Sequence, residues 1–317
     1  MNGRIEKELQ AEKKMKEKLD NLPEIFSLFY NWMNARDRSY TTMNNYIRHV
    51  YEFMNFFTKG KKDDEFYLKV TDDDIEKYMT SIRNQNVGDD IRAAKWSSLN
   101  TFFKFLSQKK HITNNPMLLT ERPRLRTEHK VTYLTPEEIS SIFSRIQDES
   151  RKMNKNRDMC IVALGLTTGL RVSAIVNINV ENIDFNENTI RIIEKGRKVR
   201  EINFAENLRN ILLVWLKDRE IYYDGDPTGP LFLSQLKNRL SVDAVAAVIS
   251  KYTSHLSKHI TPHKLRSSAA MNLYGSGTDI LTIASLLGHE NVTTTQRYVN
   301  AYEENKKKAT NILDNLI

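Results

Sequence analysis

Apolar positions recur with a helical period along most of this chain. From Ile25 to Phe57, and again from about Asp89 to Ser107, aromatic and aliphatic residues return every three or four positions. A helix with such a stripe buries it against its neighbours, so the pattern predicts a small all-helical domain with an aromatic core. The same rings could instead stack on bases, but packing in a core is the commoner use of aromatic stripes.

Polar residues at the expected helix starts support this division into helices. Ser39 stands at an N-cap position, and Thr71 precedes three aspartates whose charges favour the first turn of a helix. The four residues from Thr135 to Glu138 combine an N-cap threonine, a proline at the first helical position and a capping-box glutamate. A second domain is therefore expected to begin at about residue 134.

The second half of the chain mixes helices with one hairpin. β-Branched residues dominate Thr189–Glu194 and Val199–Phe204, on either side of a turn around Gly196, which predicts two antiparallel strands. Helical periodicity accounts for the other elements. The helices predicted there are Arg157–Leu166, Ala205–Tyr222, Ser241–His255, Pro262–Tyr274, Asp279–Leu287 and Glu303–Leu316.

These elements predict a mainly α protein, with an N-terminal helical bundle followed by an α+β domain that has a small antiparallel hairpin or sheet. Residues 1–24 are charged and have few apolar positions, which predicts a solvated helix or a frayed arm. Prolines and basic residues in 111–133 predict an extended linker, either solvated or lying along a polyanion. The predicted segments are 1–24, 25–110, 111–133, 134–302 and a terminal helix over 303–317.

Composition narrows the class of protein. The 317 residues carry a net charge of +8, with 28% charged and 40% hydrophobic residues and a mean hydropathy of −0.55. This length suits two domains, and the basic excess favours a polyanionic partner, although many proteins share so modest a charge. No apolar run is long enough to span a bilayer, and residues 1–20 have no signal-peptide core.

Cysteine usage points to a reducing compartment. Cys160 is the only cysteine, which excludes an internal disulfide framework and any zinc site built on cysteines. Its apolar surroundings predict a small buried residue rather than a catalytic thiol. We therefore expect a cytoplasmic protein without a membrane partner.

Six polar residues in the second half of the chain are candidates for a reaction site. Two arginines, a lysine and two histidines suit a phosphodiester whose negative charge rises during attack, and a tyrosine can act as nucleophile. No cluster of acidic residues with metal-ligand spacing accompanies them, so neither a metal nor another cofactor is expected. The six residues are Arg171, Lys195, His263, Arg266, His289 and Tyr298.

The local positions of these residues favour anion binding only weakly. His263 and Arg266 lie three residues apart in the first two turns of a predicted helix, where free backbone N–H groups attract anions. Arg171 follows a helix stop at Gly169, and Lys195 stands at the tip of the predicted hairpin. Taken one at a time, each residue is more often an ordinary surface side chain or a salt-bridge partner.

The order and spacing of four sequence blocks resemble those of the tyrosine recombinases, the lambda-integrase-like and Xer-like site-specific DNA recombinases. The resemblance covers about residues 25–317 and includes Ser39–Tyr46 in the first helical domain. Each block has modest specificity, but the four in the family's order are highly specific together. The blocks are Thr-Gly-Leu-Arg-Val-Ser at 168–173, Glu-Lys-Gly-Arg-Lys-Val-Arg at 194–200, Thr-Pro-His-Lys-Leu-Arg-Ser-Ser-Ala-Ala at 261–270 and Ile-Ala-Ser-Leu-Leu-Gly-His-Glu-Asn-Val-Thr-Thr-Thr-Gln-Arg-Tyr at 283–298.

The resemblance implies an enzyme that cuts and rejoins double-stranded DNA at specific sites through a 3′-phosphotyrosine. The first domain would be a SAM-like core-binding domain and the second the catalytic domain. By the same resemblance, Arg171 and Arg266 hold the scissile phosphate, whose developing charge their guanidinium groups match. Tyr298 attacks the phosphorus, and His263 accepts the proton of the tyrosine.

The same resemblance gives Lys195 the role of protonating the departing 5′ oxygen, and His289 that of donating a hydrogen bond to the phosphate. It also implies a homotetramer on DNA in which the helix over 303–317 packs into a neighbouring protomer; packing on its own protomer is the alternative. One position departs from the family pattern. Many members carry Glu or Asp three residues after the first arginine, where this chain has Ala174. Bracing of the active-site histidine and arginine is then weaker or comes from other groups.

Two other functions stay open from the sequence. A type IB topoisomerase-like enzyme would share the chemistry without exchanging DNA partners, and the terminal helix argues against it. A catalytically weakened DNA-binding or architectural protein gains some support from Ala174. The leading hypothesis is a mobile-element integrase or Xer-like recombinase that acts on nucleoid DNA. The few residues before Ile25 favour that simple organisation over one with a separate arm-binding domain.

Overall fold

The computed structural model describes residue 13 and residues 15–124, 131–193, 199–223, 228–289 and 291–314. The chain divides into two compact units, residues 1–129 and 130–317, which are described separately below. The boundary between them falls inside the segment 111–133 that the sequence predicts to be a linker.

The first unit is a bundle of helices around an aromatic core. Rings of Phe26, Phe29, Phe53, Phe102 and Phe103 have no exposed surface and pack against one another, so the prediction of an aromatic core is confirmed. The elements are α1 (Glu24–Asn34), α2 (Tyr40–Thr58), α3 (Asp72–Asn84) and α4 (Asp89–Gln108), with 3-10 turns at Phe66–Leu68 and Pro116–Leu119.

The predicted N-cap residues stand at the starts of two of these helices. The side chain of Ser39 accepts a hydrogen bond from the backbone N–H of Thr42 at the start of α2. Thr71 and Asp74 form a capping box at the start of α3, in which each side chain binds the other residue's backbone N–H.

Two predictions for the ends of this unit are wrong in part. Residues 15–19 are helical, and Met15 and Leu19 are buried in the aromatic core, so this stretch is not a solvated arm. The predicted linker also begins too early, because Met117 is buried in the same core. Nε1 of Trp96 further donates to Oγ1 of Thr120 at 3.2 Å.

The second unit combines eight described helices with a three-stranded antiparallel sheet. The sheet order is β1-β2-β3, and Ile190 pairs with Ile202 across the predicted hairpin. The strands are β1 (Ile183–Asp184), β2 (Thr189–Ile193) and β3 (Val199–Asn203). The helices are α5 (Pro136–Gln147), α6 (Lys152–Thr168), α7 (Val172–Asn177), α8 (Glu206–Tyr222), α9 (Val242–Thr253), α10 (Pro262–Gly275), α11 (Ile280–Leu287) and α12 (Thr293–Asp314).

Helix α6 forms the centre of this unit. Cys160, Ile161 and Leu164 in α6 have no exposed surface, and burial raises the pKa of the Cys160 thiol, as suits a small packing residue. Gly165 lets α10 approach closely, because a Cβ there would lie 2.8 Å from Cδ1 of Leu265. The start of α10 is thereby set against the end of α6.

Helix α12 differs from the prediction. The sequence predicts a separate helix over Glu303–Leu316, whereas one continuous helix runs from Thr293 to Asp314 and contains Tyr298. Its first turns pack on the unit, since the rings of Tyr274 and Tyr302 meet edge to face with centroids 5.2 Å apart. Within the described part of the chain, no helix is long and apolar enough to cross a membrane.

Candidate active site

The turn between α6 and α7 sets the position of Arg171. Gly169 ends α6 in a left-handed conformation, with φ of +60°, which residues with side chains rarely adopt. Leu170 is buried, and Arg171 becomes the N-cap residue of α7 with an exposed side chain. The prediction that this arginine follows a helix stop is confirmed, and the structure shows that it also begins the next helix.

His263 and Arg266 lie in the first two turns of α10, as predicted. Pro262 occupies the first helical position. His263 is exposed, whereas Arg266 retains only 1% of its surface. Nη1 of Arg266 donates to the carbonyl oxygen of Gly169 at 2.8 Å, and Nη2 donates to that of Leu287 at 2.7 Å.

Both carbonyl oxygens that accept from Arg266 lie at the carboxyl ends of helices. Gly169 caps α6, and Leu287 is the last residue of α11. Carbonyl groups at the carboxyl end of a helix lack intrahelical donors and carry partial negative charge. A buried guanidinium is costly unless such acceptors bind its N–H groups. Arg266 therefore joins α6, α10 and α11, and these three helices in turn fix its position.

The carboxyl end of α11 also receives an arginine from the sheet. Nη1 of Arg200, in β3, donates to the carbonyl oxygens of Ser285 and Leu286, at 3.0 Å each. Gly288 then ends the helix with φ of +67°, and His289 follows directly. The end of β3 that lies next to the β2–β3 loop is thus attached to the segment that presents His289.

Helix α12 holds Tyr298 beside His289. The two rings are stacked, with centroids 6.3 Å apart and 20° between their planes. Nδ1 of His289 lies 2.7 Å from Oγ1 of Thr295, a residue with no exposed surface. Tyr298 is 6% exposed and packs in a small apolar cluster with Ala270 and Ile283. The phenol is therefore carried on a helix that is anchored to its own unit.

Positive charge dominates the electrostatics of this site. The pKa of His289 is lowered to about 4, first by burial and then by the charges of Arg266, Arg171 and Arg297. Although the side chain of His263 is exposed, protein atoms cover part of its ring; this partial desolvation is the largest cause that lowers its pKa, and the charge of Arg266 is the next. Both imidazoles are therefore neutral near pH 7 when no anion is bound. An anion at the site would raise both pKa values.

Ala174 does not supply a brace for these residues. Its methyl group packs against the apolar core of the second unit, so α7 offers no carboxylate at the position where the family resemblance leads us to expect one. Two of the acceptors that brace Arg266 are backbone carbonyls, at the ends of α6 and α11. The geometry of these two helix ends therefore contributes to the position of this arginine.

The fold gathers five of the six predicted residues. The charges of Arg171 and Arg266 act on both histidines, and Tyr298 stacks on one of these. Lys195 lies outside the described residues, between β2 and β3. Among the residues that the structure describes, no group of three or more His, Cys, Asp or Glu could hold a metal ion.

Three further residues take part in the arrangement and were not predicted: Thr295, Arg200 and Arg297. All three stand inside the sequence blocks that carry the family resemblance, two of them within three residues of Tyr298. Their presence in those blocks was the available signal. Periodicity alone could not separate the buried threonine from its two neighbours, or indicate that an arginine in a strand binds a helix end.

Known proteins are similar in sequence to this chain over most of its length. The phage integrase family matches residues 132–305, more than half of the chain. Tyrosine recombinase XerC of Caldanaerobacter subterraneus subsp. tengcongensis is 33% identical over 312 residues, covering 91% of this chain and 86% of the relative. XerC of Bacillus subtilis is 27% identical over 293 residues, covering 90% of this chain and 94% of the relative.

Solved structures share the fold. XerH recombinase in a post-cleavage complex with a palindromic difH substrate has a TM-score of 0.68 and 19% identity, covering 88% of this chain and 82% of that one. A lambda integrase dimer bound to a COC′ core site has a TM-score of 0.69 and 19% identity, covering 87% and 94%. At these identities the likeness concerns the fold alone.

Relatedness along 91% of the chain places this protein among the tyrosine recombinases, enzymes that break and rejoin DNA strands. The chain belongs to the phage integrase family, and its reaction is site-specific DNA recombination of the Xer or integrase kind. The predicted fold class, a helical bundle followed by a mainly helical domain with a small antiparallel sheet, is confirmed.

Replacing Gly169 by alanine should disturb both the α6–α7 turn and the buried arginine. The new Cβ would clash with Cδ2 of Leu287, and φ would stay at +60°. We expect the free energy of unfolding to fall by about 3 kcal/mol, measured by denaturant titration. Gly229→Ala is the matched control, since Gly229 has φ of +78° and no heavy atom within 4 Å. It should lose only about 1–2 kcal/mol, and equal losses would contradict the close contact with Leu287.

The free protein should show His289 titrating far below an ordinary histidine. NMR titration of its ring is expected to give a midpoint of about 4. Arg171→Gln should raise this midpoint, because it removes one of the charges that lower the pKa. Arg145→Gln removes the same charge from an exposed position in α5 and should leave the midpoint unchanged. A wild-type midpoint near 6.5 would disprove the cationic, partly buried environment.

The same pKa gives the sign of a stability effect. Because the folded pKa of His289 is about 4 and the reference value is 6.5, the unfolded chain binds a proton more readily between these values. The contribution of this ring to stability is therefore complete above about pH 6.5 and is lost as the pH falls towards 4.

Proposed function

We propose that this recombinase cleaves DNA with Tyr298, which attacks the scissile phosphate and forms a 3′-phosphotyrosine. One observation carries the proposal. Arg266 donates to the carbonyl oxygens of Gly169 and Leu287, and Leu287 stands two residues before His289, whose ring stacks on that of Tyr298. Helices α6, α10, α11 and α12 thus bring a buried guanidinium, a neutral imidazole and a phenol together at one site.

Arg171 and Arg266 are proposed to hold the non-bridging oxygens of the phosphate. Negative charge grows on these oxygens in the pentacoordinate state, and planar guanidinium groups can bind two oxygens at once. His289 is proposed to donate a third hydrogen bond. The proximity of these groups supports the assignment, because the charges of both arginines lower the pKa of His289.

Proton transfers are assigned to His263 and Lys195. A tyrosine with a pKa of about 10 needs a proton acceptor in order to attack near neutral pH. The lowered pKa of His263 keeps its ring neutral, and a neutral ring has the lone pair that accepts a proton. Lys195 is proposed to protonate the departing 5′ oxygen. The hydrogen bonds from Arg200 to the end of α11 support this role, because they hold the end of β3 that follows the loop containing Lys195 beside the site.

Strand rejoining then reverses the chemistry with a second DNA end. The DNA phosphodiester is exchanged for a phosphotyrosine ester, so the 5′ hydroxyl of a partner strand can attack it and release Tyr298. The bond energy is kept in the covalent intermediate, and none of the proposed roles requires a metal or an energy-rich cofactor.

The proposed substrate is double-stranded DNA that carries specific recombination sites. Structures with the same fold include XerH bound to difH, lambda integrase bound to a core site and the Tn1549 transposon integrase bound to circular intermediate DNA. We infer a Xer-like or mobile-element recombinase that acts on DNA in the cytoplasm of a prokaryote. The net charge of +8 supports binding to the phosphate backbone.

A homotetramer is proposed as the active assembly, with the end of α12 packing into a neighbouring protomer. The early part of α12 packs on its own unit up to the contact between Tyr274 and Tyr302. Beyond that contact the helix continues to Asp314, and the sequence places Ala309, Ile312 and Leu313 on one stripe.

A catalytically weakened DNA-binding protein is the second candidate, and Ala174 is the observation that favours it. A type IB topoisomerase-like activity would use the same residues without exchange of DNA partners. Formation of a covalent DNA adduct distinguishes a recombinase from the DNA-binding protein. Exchange of DNA strands between partners distinguishes it from the topoisomerase-like enzyme.

The central test is a covalent adduct on DNA that carries the protein's own site. A nicked suicide substrate should trap the full-length chain as a denaturation-resistant complex, because the cleaved 5′ end diffuses away and religation stops. Tyr298→Phe should reduce the adduct below detection, since phenylalanine has no nucleophilic oxygen. Tyr302→Phe is the matched control on the same helix, one turn later, and should form the adduct normally.

Each alternative has its own result in this assay. An adduct that survives in Tyr298→Phe would refute the proposed nucleophile. Specific binding to the site without any adduct would establish the architectural candidate. An adduct accompanied by relaxation of supercoils, but without recombinant products, would establish the topoisomerase-like candidate.

The role of the tail is tested by deleting residues 306–317, which keeps the contact of Tyr302 with Tyr274. Loss of an apolar stripe that packs between protomers should weaken assembly on two sites by about tenfold or more in gel-shift titrations. Binding of one protomer to one half-site should change little. The double substitution Ile312→Ser and Leu313→Ser should reproduce the defect, and Asn311→Ser should not. Unchanged assembly in the deletion would favour packing of the tail on its own protomer.

A further inference from the structure

We propose that Thr295 is a positioning residue for the recombination reaction: its hydroxyl donates a hydrogen bond to Nδ1 of His289 and holds this ring in the tautomer whose Nε2 carries the proton. The inference deepens the proposed function and rests on it, because it explains how His289 presents a donor to the phosphate.

The contact between the two residues is close and shielded from water. Oγ1 of Thr295 lies 2.7 Å from Nδ1 of His289, within the range of a good hydrogen bond. Thr295 has no exposed surface, so water does not compete for its hydroxyl group. Its neighbour Thr293 is exposed at the first position of α12. One of three consecutive threonines is thus buried against the ring of the histidine.

The protonation state of the ring turns this contact into a choice between two tautomers. The pKa of His289 lies at about 4, so near pH 7 the ring has one N–H and one lone pair. If Thr295 accepts a bond from Nδ1–H, then Nε2 keeps only a lone pair. If Thr295 donates to Nδ1, then Nε2 carries the proton and can donate.

A phosphate needs a hydrogen-bond donor from the ring, and this favours the tautomer with the proton on Nε2. Phosphate oxygens in a phosphodiester are acceptors, and they need an N–H group from the ring. Nδ1 is engaged by Thr295, so Nε2 is the nitrogen left to meet the phosphate. A hydroxyl group can rotate to donate, whereas a valine or an alanine at 295 could not bind Nδ1 at all.

The position of Thr295 in α12 adds a geometric consequence. Thr295 precedes Tyr298 by three residues, which places both on one side of the helix. Thr295 binds the ring of His289, and this ring stacks on that of Tyr298 at a centroid distance of 6.3 Å. A single helix face therefore fixes both the donor to the phosphate and the nucleophile, so the two keep a constant spacing.

The tautomer can be measured directly in the free, full-length protein. Long-range 1H–15N correlation spectra distinguish the two neutral forms of histidine, and the loss of signals in His289→Gln assigns the ring. The wild type should show the Nε2–H form near pH 7. Thr295→Val, which keeps the shape of the side chain, should mix the two forms, and Thr295→Ser should restore the wild-type spectrum. Thr293→Val is the matched control and should leave the tautomer unchanged.

The second readout is the rate of adduct formation on the suicide substrate. Loss of one buried hydrogen bond that orients the donor should slow Thr295→Val by about tenfold, with Thr295→Ser close to wild type. An Nδ1–H tautomer in the wild type would overturn the proposal without any variant. A wild-type rate in Thr295→Val would overturn it as well. Absence of any adduct with the wild type would instead refute the proposed function, while the spectra of the free protein would still decide the tautomer.

Discussion

The hydrogen bonds of the Arg266 guanidinium to the carbonyl oxygens of Gly169 and Leu287 hold this catalytic unit together. A buried cation is unfavourable unless acceptors surround it, and the carboxyl ends of α6 and α11 supply them together with their helix dipoles. The α6–α7 turn, the end of α11 and the start of α10 must therefore meet at one point. Arg171 and His289 each stand two residues beyond one of these two acceptors, so the same contacts help to fix their positions.

The same arrangement explains how the site tolerates Ala174. Burial, followed by the positive charge of Arg266 and Arg171, lowers the pKa of both histidines, so both rings are neutral near pH 7. A site of this kind has two properties that suit phosphoryl transfer. Its arginines carry a positive charge whose position the fold fixes, and its histidines begin in the neutral form. One neutral ring can accept a proton while the other, in the right tautomer, donates a hydrogen bond.

Much of the fold could be predicted from sequence, because it depends on local signals. Helical periodicity, N-cap residues and the β-branched hairpin indicated the elements, and the order of six polar residues indicated the chemistry. The burial of Met15 and Met117 was not predictable from periodicity, since one or two apolar residues in a charged segment form no pattern. The acceptors of Arg266 and Arg200 are backbone carbonyls, which every residue has, so no residue type marks them. The continuity of α12 was not predictable from local preference, because Thr293, Thr294 and Thr295 at its start and Val299 are β-branched and have a low helix propensity.

That continuity gives α12 a mechanical property. A helix rises 1.5 Å per residue, so Asp314 lies about 24 Å along the axis from Tyr298. No turn or glycine interrupts the helix between them. Tyr298 and Asp314 therefore belong to one uninterrupted helix whose early turns are packed on the second unit. A contact made at the far end of this helix would bear on the position of the Tyr298 ring without an intervening flexible joint.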